Sequence, residues 1–67
     1  MRYFDYRKAA RQAGISAADL RRLCRSVRRE FPRDDMLWEL HVLRACNAIR
    51  EGRVTLNEAV KTEPVEA

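Results

Sequence analysis

The chain has few residues that interrupt helices, with two glycines and two prolines in 67 residues. No apolar run approaches the ~18 residues of a membrane-spanning helix, and the N-terminus has no signal-peptide core. We therefore expect a small soluble all-α domain, a three- to four-helix bundle, located in the cytoplasm. A domain of this size buries only about 60% of its unfolded surface, which leaves little room for a deep substrate cleft.

Catalytic and metal-binding patterns are equally scarce. Cys24 and Cys46 lack a Cys-x-x-Cys spacing and lie among apolar residues, so we expect each to be a small buried hydrophobe. With His41 they would supply only three widely spaced zinc ligands. No nucleophile is spaced to pair with His41, and the adjacent Asp34 and Asp35 suit a helix cap better than acid/base catalysis. The sequence therefore predicts no enzyme, no metal site and no cofactor.

Charge is divided unevenly along the chain. Residues 1–33 carry ten Lys and Arg against three Asp and Glu, a balance of +7. Residues 34–67 carry four Lys and Arg against seven Asp and Glu, a balance of −3, and the two balances sum to the net charge of +4. A basic half joined to an acidic half predicts that one surface meets a polyanion.

Capping residues and helix breakers divide the chain into four predicted helices. Gly14 supplies a position where a helix can end in the left-handed region, and the residue before Pro32 is disfavoured in a helix. Thr55 and Glu58 have the spacing of a capping box, and residues 62–67 are expected to be a disordered tail. In one domain over residues 1–61, the predicted helices cover about 6–13, 17–31, 35–51 and 56–61, with N-caps Asp5, Ser16, Asp34 or Asp35, and Thr55.

The second predicted helix separates apolar from basic residues. Its apolar residues fall on a stripe about 100° wide, which predicts a core-facing side. Its arginines fall on the opposite side, where a solvated surface would normally include Glu for i,i+4 pairs. Arginine suits bidentate contacts with phosphate and guanine, so this side predicts nucleic-acid binding. The stripe consists of Leu20, Leu23, Cys24, Val27 and Phe31, and the arginines are Arg21, Arg22, Arg25, Arg28 and Arg29.

Residues 6–25 resemble the helix-turn-helix of bacterial and phage DNA-binding proteins. That pattern has a small residue in the first helix, here Ala10, and a turn glycine four positions later, here Gly14. The segment AIREGRVTLNEAV, residues 48–60, is similar to a segment of MerR-type and excisionase-type proteins. Those proteins have a β-hairpin wing after the recognition helix, whereas only residues 32–34 join the second and third predicted helices here. The residues that match the apolar positions between the two helices are Ala9, Ala13, Ile15, Leu20 and Leu23.

The resemblance implies a recognition helix in the major groove of duplex DNA, within a unit that covers about residues 6–31. A small transcriptional regulator or a phage- or plasmid-type accessory factor is the function it implies. Base contacts would come from the start of the recognition helix and phosphate contacts from its surroundings. The implied base-contact residues are Ala17, Ala18, Arg21, Arg22 and Arg25, and the implied phosphate-contact residues are Arg7, Lys8, Arg11, Arg28, Arg29 and Arg33.

The third predicted helix is apolar on more than one side. One stripe can cover the first two helices, and a second strip is rotated away from it by more than 90°. A helix of this kind is either central in a bundle or covered by a partner, so we expect a homodimer through the second strip. The first stripe contains Trp38, Val42, Ala45, Cys46 and Ile49, and the predicted interface consists of Met36, Leu37, Leu40 and Leu43.

Two other partners are open at this stage. An all-helical adaptor could bind another protein through the same strip, with its arginines meeting an acidic partner. RNA is less favoured, because few aromatic residues lie near the basic side for stacking on bases. Those few are Tyr3, Phe4 and Tyr6. No membrane partner is expected.

Overall fold

The computed structural model describes residues 3–60, which form four helices. Residues 3–60 contain no strand, so the prediction of a small all-α bundle is confirmed. No helix in this range is long and apolar enough to cross a membrane. The expected disordered tail, residues 62–67, lies outside the described residues. The helices are α1 Tyr6–Gln12, α2 Ala17–Glu30, α3 Asp35–Arg50 and α4 Leu56–Ala59.

Every helix begins at a predicted N-cap. Each N-cap side chain accepts a hydrogen bond from the backbone N–H three residues later, at 3.0–3.1 Å. For α3 the cap is Asp34 rather than Asp35. The capping box of α4 is complete, because Glu58 Oε1 also accepts from the Thr55 N–H at 2.9 Å. These bonds satisfy backbone donors that have no partner within their own helix. The four N-caps are Asp5, Ser16, Asp34 and Thr55.

A glycine in the left-handed region follows α1, as predicted. Gly14 has φ +74°, and its N–H donates to the Arg11 carbonyl at 3.1 Å. The next N–H, that of Ile15, donates to the Ala10 carbonyl at 2.9 Å. This pair of bonds is the Schellman closure, which satisfies the last carbonyls of a helix and turns the chain sharply. Gly52, with φ +79°, ends α3 in the same way.

The central element of the bundle is α3. It contacts α1 along one side and α2 along another, while α2 also meets α4. The resemblance to a helix-turn-helix predicts that small residues hold α1 directly against α2. In the structure, α1 packs chiefly on α3, because the 16 residues of α3 offer apolar surface to both helices. Ala9 and Ala10 are 5% and 2% exposed, and their small side chains allow the close approach of α1.

The buried core otherwise follows the predicted stripes. Leu23, Val42 and Cys46 are completely buried, and the remaining predicted core residues of α2 are buried or packed against them. On α3, Trp38 and Ala45 also pack against the core, whereas Ile49 is half-buried. The angular arrangement of apolar residues therefore predicts which side of each long helix faces inward.

Two buried polar residues were not predicted. Glu39 on α3 is 2% exposed, and its Oε1 accepts hydrogen bonds from the backbone N–H groups of Tyr3 at 2.8 Å and Phe4 at 3.0 Å. Ser26 is fully buried on α2. A carboxylate can be buried when hydrogen bonds compensate for its lost hydration. The Glu39 bonds tie the segment before α1 to the central helix.

Replacing Gly14 by Ala should lower the free energy of unfolding by about 1–2 kcal/mol, because a Cβ is unfavourable at φ +74°. No neighbouring atom lies within 4 Å of the position that the new Cβ would take, so backbone strain is the cause. Gly14→Asn should cost less, since asparagine tolerates this region better. Urea unfolding measures both. Gln12→Ala is the control on the exposed side of α1, and an equal effect of all three substitutions would contradict the explanation.

Burial, with a smaller contribution from the nearby Cys24, raises the pKa of the Cys46 thiol from 9.0 to about 11. The unfolded chain therefore loses this proton at lower pH than the folded chain, and stability should fall as pH rises from 9 towards 11. Cys46→Ala should cost about 1 kcal/mol at neutral pH, because it leaves a small cavity, but should show a shallower alkaline decline. Urea unfolding across this pH range tests the difference. If the stability of the wild type and of Cys46→Ala fell equally as pH rises, groups other than Cys46 would be responsible for the alkaline decline.

Candidate nucleic-acid interface

One side of α2 carries exposed basic side chains and small residues, and we call it the basic face. All its members are exposed to solvent. On the opposite side of the helix, Leu23 is completely buried and Val27 is 9% exposed. The predicted separation of arginines from the core is therefore present, with one exception at Arg28. The basic face consists of Ala17, Ala18, Arg21, Arg22, Arg25 and Arg29.

The arginines of the basic face differ in their partners. Arg22 Nη1 lies 3.4 Å from Asp19 Oδ1, an exposed pair within one turn. Such pairs contribute only about 0–1 kcal/mol and compete weakly with a ligand. Arg21 and Arg25 have no ion-pair partner within residues 3–60. These two side chains, one turn apart, are the charges most available to an anionic ligand.

The first helix, α1, carries further basic residues, and Arg7 is one of them. Burial raises the pKa of the Cys24 thiol, and the guanidinium groups of Arg7 and Arg28 oppose that rise. Lys8 and Arg11 are also exposed on α1. Exposed positive charge is therefore present on α1 as well as on α2.

Two predicted phosphate contacts lie elsewhere. Arg33 is exposed in the loop after α2, at the opposite end of that helix from Arg21. Arg28 is half-buried: its Nη1 lies 2.9 Å from Asp35 Oδ1 and donates to the Phe31 carbonyl at 3.3 Å. Because the chain folds back after Pro32, the start of α3 reaches this guanidinium. Arg28 joins α2 to α3 and is not a member of the basic face.

Trp38 sets the orientation of α2 on the bundle. Its Nε1 donates a hydrogen bond to the Cys24 carbonyl at 3.0 Å. The Arg28 guanidinium lies over the ring, with Cζ 4.0 Å from the centroid. The ring also meets that of Tyr6 edge-on, with centroids 5.7 Å apart and planes at 66°. Trp38 thereby contacts both α1 and α2 and holds the basic face pointing away from the core.

The predicted interface on α3 is only partly exposed. Met36 is 48% exposed, whereas Leu37 and Leu40 are half-buried. Leu43, also predicted at the interface, is half-buried and packs against the core. Tyr3, which is 49% exposed, is an apolar surface residue that the helical pattern could not place beside Met36.

The histidine and cysteines have packing contacts. His41 lies against the Phe31 ring, with centroids 4.4 Å apart, and its Nδ1 donates to the Leu37 carbonyl at 2.9 Å. Cys24 and Cys46 are free thiols. Within residues 3–60, no three His, Cys, Asp or Glu side chains are grouped as a set of metal ligands. The basic face is thus defined by its charged side chains, and the histidine and cysteines are not part of it.

Arg28→Ala should lower the free energy of unfolding by about 1–2 kcal/mol, through loss of the cation–π contact and the ion pair. Arg25→Ala removes the same charge from an exposed site and should change stability by less than about 0.5 kcal/mol. Arg28→Lys should be intermediate, because lysine lacks the planar group that lies over Trp38. Urea unfolding of the three variants makes the comparison. Equal stability of the two alanine variants would remove the structural role given to Arg28.

Comparison of the chain with protein-family models, curated proteins and solved structures finds no match. The basic face combines positive charge with small side chains. Its defining features are the two unpaired arginines on α2 and the small residues at the start of that helix.

Proposed function

We propose that this chain is a small DNA-binding protein that places α2 in the major groove of duplex DNA. The observation that carries the proposal is the basic face, which lies opposite the buried side of α2. Between Asp19 and Glu30 the helix contains no carboxylate. If this side of α2 were only solvated, carboxylates there would stabilise the helix, because the four arginines of the basic face repel one another.

The dimensions of α2 fit a major-groove contact. The helix has 14 residues and is about 21 Å long, and an α-helix fits into the major groove of B-DNA. Ala17 and Ala18 allow a close approach at the start of the helix, where the helix dipole is positive. Arg21 and Arg25 follow one turn apart, about 6 Å along the axis, and arginine forms bidentate hydrogen bonds with guanine.

Phosphate contacts belong to the margins of this surface. Arg7 is exposed on α1, and Arg29 is exposed on α2 beyond Arg25. Lys8 and Arg11 are exposed on α1 and extend the positive charge. Phosphate contacts supply affinity and register, whereas base contacts supply sequence preference. This division assigns affinity chiefly to α1 and discrimination chiefly to Arg21 and Arg25.

The proposed role is that of a transcriptional regulator or a phage- or plasmid-type accessory factor that covers or bends a short operator. We also propose that it acts as a homodimer, since two recognition helices can address two half-sites. A cytoplasmic location fits the two free thiols, which persist in a reducing compartment.

Binding to random-sequence duplex DNA should weaken steeply with salt, because each neutralised phosphate releases counterions. With about four phosphates contacted, the slope of log K against log salt should be about −4. Fluorescence anisotropy over a salt series measures it. Absence of binding at low salt would overturn the proposal, and binding to an acidic protein instead would favour the adaptor.

Substitutions separate base contacts from phosphate contacts on a duplex selected from a random pool. Arg21→Ala with Arg25→Ala should reduce the preference for that duplex over random DNA by at least about tenfold. Arg7→Ala with Arg11→Ala should weaken both duplexes alike and make the salt slope shallower by about two. Arg44→Ala with Arg53→Ala is the control for charge, because these exposed arginines lie on α3 and in the following loop. An equal loss in all three double variants would show that only net charge matters.

A further inference from the structure

A second surface, which we call the corner groove, lies where α2 turns into α3. It has a volume of about 640 Å³ and is lined by apolar side chains from the N-terminal segment, the loop and the start of α3. Tyr3 and Met36, about half exposed, are the two exposed large hydrophobic residues within residues 3–60. Aromatic residues and methionine are enriched in protein interfaces. The apolar lining consists of Tyr3, Phe31, Pro32, Met36 and Leu37.

The rim of the corner groove carries charges of both signs. Glu30 and Arg33 are exposed on either side of Pro32, and neither has an ion-pair partner in the described part of the chain. The other two carboxylates of the rim are engaged, since Asp34 caps α3 and Asp35 pairs with Arg28. One unpaired cation and one unpaired anion thus border the same apolar surface.

We infer that the corner groove binds a second copy of this chain about a two-fold axis. A two-fold interface presents the same patch from both copies, so each charge must find its complement on that patch. The corner groove meets this condition. Arg33 of one copy can pair with Glu30 of the other, and by symmetry Glu30 of the first copy pairs with Arg33 of the second. The apolar residues around Met36 then bury one another at the centre. A partner of uniform charge would leave one of the two rim charges opposed by a like charge.

The position of the corner groove also suits two half-sites, a consequence that rests on the proposed function. Glu30, which lines the groove, is the last residue of α2 and lies seven residues beyond the midpoint of Arg21 and Arg25, about 10 Å along the axis of α2. A two-fold axis at the groove therefore places the two recognition surfaces on opposite sides of that axis. The half-sites of a two-fold operator are related by the axis of the protein dimer in the same way.

The first test is the mass of the protein in solution without DNA, by sedimentation equilibrium up to high micromolar concentration. The wild type should be in monomer–dimer equilibrium. Met36→Glu should raise the dimer dissociation constant at least about tenfold, because it places charges at the centre of the interface. Asn57→Glu adds the same charge at an exposed position on α4, outside the groove, and should leave the constant unchanged. A wild type that stays monomeric overturns the inference, as does a dimer that is unaffected by Met36→Glu.

Charge reversal tests the pairing itself. Arg33→Glu and Glu30→Arg should each weaken the dimer, and the double variant should restore it to within about threefold of the wild type, because exposed pairs add little beyond relief of repulsion. Circular dichroism verifies that each variant is folded. Failure of the double variant to recover would overturn the two-fold pairing.

Failure of the dimer and failure of DNA binding are distinguishable. The Arg21→Ala, Arg25→Ala double variant should have the dissociation constant of the wild-type dimer, since neither residue lines the groove. Met36→Glu should retain binding to a single half-site while losing the advantage of two half-sites spaced by one helical turn. Loss of single half-site binding in a folded Met36→Glu protein would contradict the separation of the two surfaces.

Discussion

The indole of Trp38 is the contact on which the arrangement of the long helices depends. One residue of α3 donates a hydrogen bond to the backbone of α2, lies under a guanidinium from α2, and packs edge-on against an aromatic ring of α1. These contacts have different physical origins, so they constrain different directions of movement. The hydrogen bond sets the height of α2 on α3, and the ring contacts resist its rotation. The basic face points outward because this rotation is restrained.

The position of α3 explains how so small a chain can hold the basic face of α2 in a fixed orientation. Because α1 and α2 both pack on the same central helix, neither has to provide the whole core for the other. The direct α1–α2 contact that a helix-turn-helix pattern implies is largely replaced by contacts through α3. Helix pairs with the same turn sequence can therefore differ in their crossing, depending on which third element supplies the buried surface.

Local features of the sequence predicted local features of the structure. The N-caps, the left-handed Gly14 and the buried stripe of α2 depend on residues within a few positions of one another, and all are present. The structural roles of Arg28 and Glu39 could not be predicted from neighbouring residues in the sequence, because tertiary packing determines their partners. In the sequence, Arg28 has the same helical spacing as the other arginines of α2. It differs from them only because α3 folds back and brings Asp35 and Trp38 against it. The function of the basic face likewise depends on a ligand that the fold does not specify.

Glu39 holds the segment before α1 through backbone groups, so this contact does not depend on which side chains the segment carries. Its donors are the main-chain amides of Tyr3 and Phe4, which every amino acid except proline supplies. Side chains at these two positions can therefore vary in evolution without loosening the tether itself. Residue 3 is thus a place where the surface chemistry of the corner groove can be altered while the path of the backbone is preserved.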